Sequence, residues 1–212
     1  MNLTQALSAA DSSIRLKAAL AAGTHADATL VDALIARCAV EPDFFVRDML
    51  TWALTRLPPE ITVPRLRTEL GSPVAQARSQ ALHTLSKIGD SSVYPAITSS
   101  LLHDTDDEVA RSAWRAAVIL APSEERPRLA AELASQLGRG DRTVRLSLSR
   151  ALVALGDVIE PALRTAAASA DPAVSTHAHA TSVLLHDPEA GFDAAIHEAT
   201  RLVALEYQKA TC

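Results

Sequence analysis

A chain of 212 residues in which 48% are hydrophobic and only 3% aromatic can bury an ample core, but it must build that core from alanine, leucine, valine and isoleucine. The formal net charge of -5 argues against a general nucleic-acid binder, which carries a basic footprint. Two cysteines far apart in sequence, Cys38 and Cys212, give no disulfide framework and fit a reducing cytoplasm, and no apolar run approaches the roughly 18 residues of a membrane helix.

The N-terminal Met-Asn-Leu-Thr-Gln-Ala-Leu has neither the basic start nor the apolar run of a secretion signal. Residues 3–10 read as a short capping helix. Asp11, Ser12 and Ser13 supply N-cap chemistry for a first helix that runs to about Ala22, where Gly23 is expected to end it by taking a positive φ. A second helix over 29–40 completes a pair. From here the chain repeats itself. The fullest copy sets Val144-Arg145 ahead of Leu148, Ala151, Leu152, Leu155, Gly156 and Asp157. The same frame fits Ile14-Arg15, Val46-Arg47 with its Pro58-Pro59 stop, Ala77-Arg78 with Gly89 and Asp90, and Ala110-Arg111 with Trp114; Val174-Ser175 is a last copy without the arginine. A second signature marks the partner helices: Pro64 with Leu66 and Leu70, Pro95 with Ile97 and Leu101, Pro127 with Leu129 and Leu133, and Pro161 with Leu163 and Ala167. Proline suits the first turn of a helix, where no N–H is needed. Both signatures keep a period of about 32 residues, the mark of stacked helical units.

Six helix pairs follow, over about 11–40, 42–70, 73–102, 106–137, 141–168 and 171–209. The connectors between them are short, and no alternating strand pattern occurs. The expectation is one all-α domain over 1–212, six helix pairs behind a short N-terminal cap, with no linker long enough to divide it.

The recurring Asp, Val-Arg, Ala, Ala-Leu, Leu-Gly-Asp grammar resembles HEAT repeats, in particular the short HEAT-like repeats of the phycobilisome-lyase type, over essentially the whole chain. The resemblance implies a right-handed α-solenoid with first helices on the convex side and second helices lining the concave side. It implies a protein-binding scaffold or adaptor; a minority of such proteins are bilin lyases, deoxyhypusine hydroxylases or alkylpurine DNA glycosylases. It also implies a structural ladder for Arg15, Arg47, Arg78, Arg111 and Arg145, paired with Asp11, Asp43, Asp107 and Asp141 of the turns. The competing reading of these arginines is a basic ligand stripe.

Candidate chemistry is sparse. His177 and His179 sit two apart on a helix, so they point roughly 200° apart and do not converge on one ion. With His186 and His197 they read as exposed helix histidines, and His197-Glu198 is the only His-Glu dipeptide where an iron-binding hydroxylase would carry several. A glycosylase needs stacking surfaces. Trp52 and Trp114 are the only tryptophans, both on first helices, with Asp48 four residues before Trp52 and Phe44, Phe45, Tyr94, Phe192 and Tyr207 scattered. Cys38 falls at a core position, and no His/Cys pair marks a bilin-transfer site. No cofactor or metal is expected. On the open side of the second helices fall Arg37, Arg65, Arg67, Thr68, Ser99, Arg128, Glu132, Arg164, Thr165 and Glu198. This set reads either as a solvated face or as a shallow, locally basic groove for an acidic or phosphorylated segment of another protein. The resulting reading is a monomeric, non-enzymatic cytoplasmic adaptor. The alternatives are a DNA-repair glycosylase or a tetrapyrrole lyase.

Overall fold

The computed structural model describes residues 2–187 and 189–210, and every regular element among them is helical. Cys212 lies outside the described residues, as does the side chain of Tyr207. The chain forms two compact units, Met1–Leu120 and Ala121–Cys212, and the division falls inside the fourth repeat rather than in a connector.

In the first unit, α1 (Leu3–Leu7) opens with a capping box between Asn2 and Gln5. Helix α2 (Ser12–His25) is capped by the Asp11 carboxylate, which accepts the Ser13 N–H. It does not stop at Gly23. The helix runs on to His25, and Ala26 takes the left-handed conformation that ends it, at φ 50°. Gly23 serves a different purpose: α2 crosses so close to the next first helix that a Cβ there would collide with the Trp52 ring and lie 2.8 Å from the Ala53 Cα. The glycine is required by a neighbour in space, not by its own backbone.

A 3-10 turn, Ala28–Leu30, leads into α3 (Val31–Cys38). Helix α4 (Phe44–Arg56) is capped by Asp43, and α5 (Pro59–Glu69) begins at Pro59. Pro64 is therefore inside α5 instead of in its first turn. The Pro58-Pro59 pair both stops α4 and starts its partner, since a proline at the first helical position loses no bond. Helix α6 (Ala75–Ile88) ends on Gly89 at φ 79°, as its Ile88-Gly89-Asp90 signal demands. Its partner is broken into a 3-10 segment, Ser91–Ala96, that contains Pro95, and a short α7 (Ser99–Leu102). Helix α8 (Asp107–Leu120) closes the unit; the Asp106 carboxylate accepts the N–H groups of Glu108 and Val109.

Alanine sets the spacing of this layer. Helix α2 packs on α4 and α6 on α8, and both pairs carry buried alanines: Ala18, Ala19, Ala22 and Ala53 in the first, Ala77, Ala81, Ala110, Ala113 and Ala117 in the second. These two contacts are extensive, while α4 packs on α6 much more sparsely. Trp114 fills the space under α8 and donates its indole N–H to the Leu102 carbonyl at 2.9 Å.

The second unit holds a 3-10 turn, Ser123–Glu125, then α9 (Arg126–Ala134), with Pro127 in its first turn as the sequence predicts. Helix α10 (Arg142–Val153) is capped by Asp141. A 3-10 turn, Asp157–Ile159, leads to α11 (Glu160–Ala167) with Pro161 in its first turn, and α12 (Pro172–His186) is capped by Asp171. Helix α13 (Phe192–Ala210) packs against α12 through Ala180, Leu184, Phe192, Ala195 and Ala199. Among the described residues no helix is long and apolar enough to cross a membrane.

Candidate functional site

The repeated arginines do not pair with the turn aspartates. Asp11, Asp43 and Asp141 are too short to reach past their own helix and spend their oxygens on its first N–H groups, while Asp107 is the first residue of α8. The arginines reach further. Arg15 grips both oxygens of Glu41 at 2.7 Å and donates to the carbonyls of Ala9 and Ala10. Arg78 grips Asp104 at 2.9 and 3.1 Å and donates to the Ser72 carbonyl. In both cases the acid lies 26 residues on, at the far end of the second helix. Arg47 donates only to the carbonyls of Glu41 and Pro42, and Arg111 takes Glu108 of its own helix at 3.0 Å. Arg145 makes no ion pair among the described residues, and its Nε is buried without a partner. Arg15, Arg47 and Arg78 thus staple turns and repeat ends, while Arg111 pairs within its own helix and Arg145 does neither among the described residues.

The open face of the second helices is not a free basic groove. Arg37 bonds the buried Glu41 at 2.7 Å, Arg65 faces Asp32 at 3.4 Å, and Arg128 and Arg164 take Glu125 and Glu160 at 3.2 Å. Acids one turn away or on the neighbouring helix neutralise them, which spacing along a single helix does not reveal. Arg67 makes no ion pair among the described residues, though it lies in the field of Asp90. Thr68 and Thr165 turn their hydroxyls back onto the carbonyls of Pro64 and Pro161, and Ser99 contacts His103. Glu132 is half-buried on α9, and Glu198 pairs with Arg201. Arg37, Arg65, Arg67, Thr68 and Ser99 belong to the first unit and the others to the second.

The histidines divide. His179, His186 and His197 are at least partly exposed, but His177 is fully buried, against expectation. Its Nδ1 accepts the Gly138 N–H at 3.0 Å, and its Nε2 lies 3.0 Å from both the Arg145 carbonyl and the Ser149 hydroxyl. Ser149 donates to Thr181 at 2.7 Å, and Thr181 donates to the His177 carbonyl. This closed set requires a neutral ring protonated at Nε2. Burial pushes the imidazole from 6.5 down to about 4; the nearby Arg145 charge pushes the same way, and the bond to the Arg145 carbonyl opposes it. Stability is therefore full above pH 6.5, where both folded and unfolded forms are neutral, and declines as pH falls from 6.5 toward 4 because only the unfolded chain takes the proton. The expected loss is up to about 3 kcal/mol. Urea unfolding at pH 7 and pH 4.5 should show that loss in the native protein and a much flatter response in His177→Asn. Equal pH slopes in the two would refute it. Cys38, also buried, has its thiol pushed up to about 12 by burial, with Glu41 adding to the effect, so it is no nucleophile.

Residues far apart in the sequence come together on the first helices of the first unit. A cleft of about 360 Å³ opens where α4 and α6 separate, with α8 as its far wall. Each helix contributes side chains one turn apart: Phe44, Asp48 and Thr51 from α4, Gln76, Gln80 and His83 from α6, and Glu108, Ser112 and Arg115 from α8. The three sets share one spacing, i, i+4 and i+7, which places each on a single face. That spacing was legible in the chain; the gap between α4 and α6 was not. At the lip, Phe44 and Phe45 are 65% and 71% exposed and stack edge to face at 5.6 Å. Gln76 anchors the floor by donating to the carbonyls of Cys38 and Glu41. Burial, with the cations of Arg115 and Lys87, holds the His83 imidazole below its ordinary range, against the pull of Asp48. Trp52, the nearest tryptophan in sequence, packs on Gly23 and is not part of the cleft. Among the described residues no group of three or more His, Cys, Asp or Glu converges as a metal site.

Residues 39–118 match the family model described as HEAT repeats. This segment is a HEAT-repeat array. It contains every residue that lines the cleft. No curated protein matches the chain. Among solved structures, the complex of CpcE and CpcF of phycocyanin lyase from Nostoc sp. PCC7120 is similar at 18% identity and a TM-score of 0.47, covering 94% of this chain and 92% of that one. An engineered protein is similar at 22% identity and a TM-score of 0.46, covering 94% and 98%. Human deoxyhypusine hydroxylase in complex with glycerol is similar at 15% identity and a TM-score of 0.46, covering 98% and 95%.

Proposed function

We propose that this chain is a non-enzymatic, protein-binding adaptor that engages its partner through the first-helix face of the HEAT segment. The observation that carries the reading is the exposed Phe44–Phe45 pair on the lip of an open polar cleft. Exposed aromatics beside a recess have the makeup of an interface anchor, where a few buried rings supply most of the binding energy and the polar surroundings set register. The second-helix face is a weaker contender because its arginines already hold carboxylates. Capture of the tagged protein's partners from lysate of its own source, at low and high salt, tests this. A specific partner should survive high salt, since the anchor is apolar. The double variant Phe44→Ser/Phe45→Ser should weaken its capture by roughly 30-fold or more, the loss of one strong aromatic anchor. Arg67→Glu/Arg164→Glu should leave it nearly unchanged. A partner lost in the arginine reversal but kept in the phenylalanine variant moves the site to the second helices and overturns the proposal.

A further inference from the structure

The cleft carries unused polar groups that say what it takes. Thr51, on its α4 wall, is buried, and its hydroxyl has no hydrogen-bond partner among the described residues. An orphaned buried hydroxyl is costly unless something occupies the space before it. One turn earlier on the same face, Asp48 is exposed and makes no ion pair or hydrogen bond among the described residues. Across the cleft, the Gln80 amide is likewise unpaired. The neighbouring charges leave a negative balance at this end. Glu108 is answered by Arg111 and Arg115, and Arg47 is turned into the Glu41–Pro42 turn, so Asp48 has no cation of its own. The ring of Phe44 stands beside it, four residues earlier on the helix. Toward His83, the Arg115 and Lys87 cations act on the imidazole against Asp48.

We infer that the cleft between α4, α6 and α8 receives one lysine or arginine side chain of a partner polypeptide, its cationic head on Asp48 beside the Phe44 ring, its main chain on Gln80 and Thr51, and an adjoining apolar residue on Phe45. This rests on the protein-binding reading and names the chemistry of the bound segment. A cation set over an aromatic edge of the cleft and against an unpaired carboxylate gains from both. The peptide carbonyls that follow it find donors in Gln80, Thr51 and Arg115.

Titration of the 15N-labelled full chain with the capped peptide acetyl-Phe-Arg-Phe-amide is the test. Saturable shifts should appear in the amides of residues 44–51 and 76–83. Replacing the arginine by norleucine in the peptide, or Asp48→Asn in the protein, should weaken binding about tenfold, the size of one charge-assisted bond. Thr51→Val should weaken the peptide severalfold while leaving the fold as stable or more so, which a structural role for that hydroxyl would not allow. Equal binding of the norleucine peptide, equal binding of spermidine at the same amides, or shifts centred elsewhere would overturn the inference. The two readings fail separately. A lysate partner lost in the phenylalanine variant but indifferent to Asp48→Asn leaves the adaptor and removes the basic-segment site. A peptide that binds as described when no lysate partner is captured leaves the site and removes the adaptor.

Discussion

Gly23→Ala is expected to destabilise the protein by about 2–3 kcal/mol and to lower its melting temperature by roughly 5–10 °C. The direction is not obvious. Gly23 lies inside α2, where alanine would ordinarily stabilise a helix by about 1 kcal/mol. The steric cost is larger and wins. A Cβ at this position collides with the Trp52 ring and lies 2.8 Å from the Ala53 Cα. Trp52 is partly exposed and could swing outward, but the α4 backbone at Ala53 cannot move without shifting the whole α2–α4 contact. Thermal unfolding followed by circular dichroism measures the effect. The added substitution Trp52→Ala should restore only part of the loss, because the backbone contact remains. A melting temperature unchanged or raised by the alanine would show that the two helices are not in the contact described.

Glu41→Ala should cost still more, about 3–5 kcal/mol, the range for removing one partner of a buried ion pair. Glu41 is fully buried and accepts four hydrogen bonds: two from Arg15, one from Arg37 at 2.7 Å, and one from the Asp43 N–H at 2.9 Å. Its removal leaves the guanidinium of Arg15, itself buried, without a counter-charge. Replacing the pair together, Arg15→Met with Glu41→Leu, should cost less than Glu41→Ala alone, since the buried Arg15 charge is then removed with its partner and only Arg37, which keeps some access to solvent, loses its carboxylate. Urea unfolding of the two variants decides it, and a double variant worse than the single would refute the account. The same site predicts an acid response. Burial raises the Glu41 carboxyl, but the bonds from Arg15, the Asp43 N–H and Arg37 together outweigh it and bring the group from 4.5 down to about 2. A depressed carboxyl stabilises the fold above the unfolded value. Its contribution is thus whole above about pH 4.5 and is lost as pH falls toward 2. The His177 response lies in the window above it, between 6.5 and 4.

Gly23 looked like a helix stop because Gly at the end of an apolar period is one, and Gly89 behaves that way. Nothing local distinguishes the two; the difference is Trp52, 29 positions further along the chain. Arg15 and Arg78 stood out by their repeat position, and acids 26 residues later were present to be noticed, yet the turn aspartates were nearer in sequence and drew the pairing. Asp171 also lies 26 residues after Arg145, and there it caps α12. The spacing alone would have misled at that repeat. The cleft was half legible. The i, i+4, i+7 sets on α4, α6 and α8 can be read from the chain, and Asp48 was singled out, but whether three such faces enclose a space depends on how far apart the helices stand.

By itself the sequence determined what short-range physics controls. Apolar periodicity specified helices and their pairing, Asp at the N-cap positions started them, Gly89 ended one, and Cys38 fell inward with its apolar stripe. These depend on neighbours within about one or two helical turns. The tertiary structure alone decided which carboxylates Arg15 and Arg78 take, that His177 is enclosed by Gly138, Arg145 and Ser149, that Gly23 yields to Trp52, and that α4 and α6 part to open a cleft. Each of these joins residues about 20 to 40 positions apart through side chains long enough to span stacked helices, and such contacts follow from the separation of helices rather than from the period along any one of them.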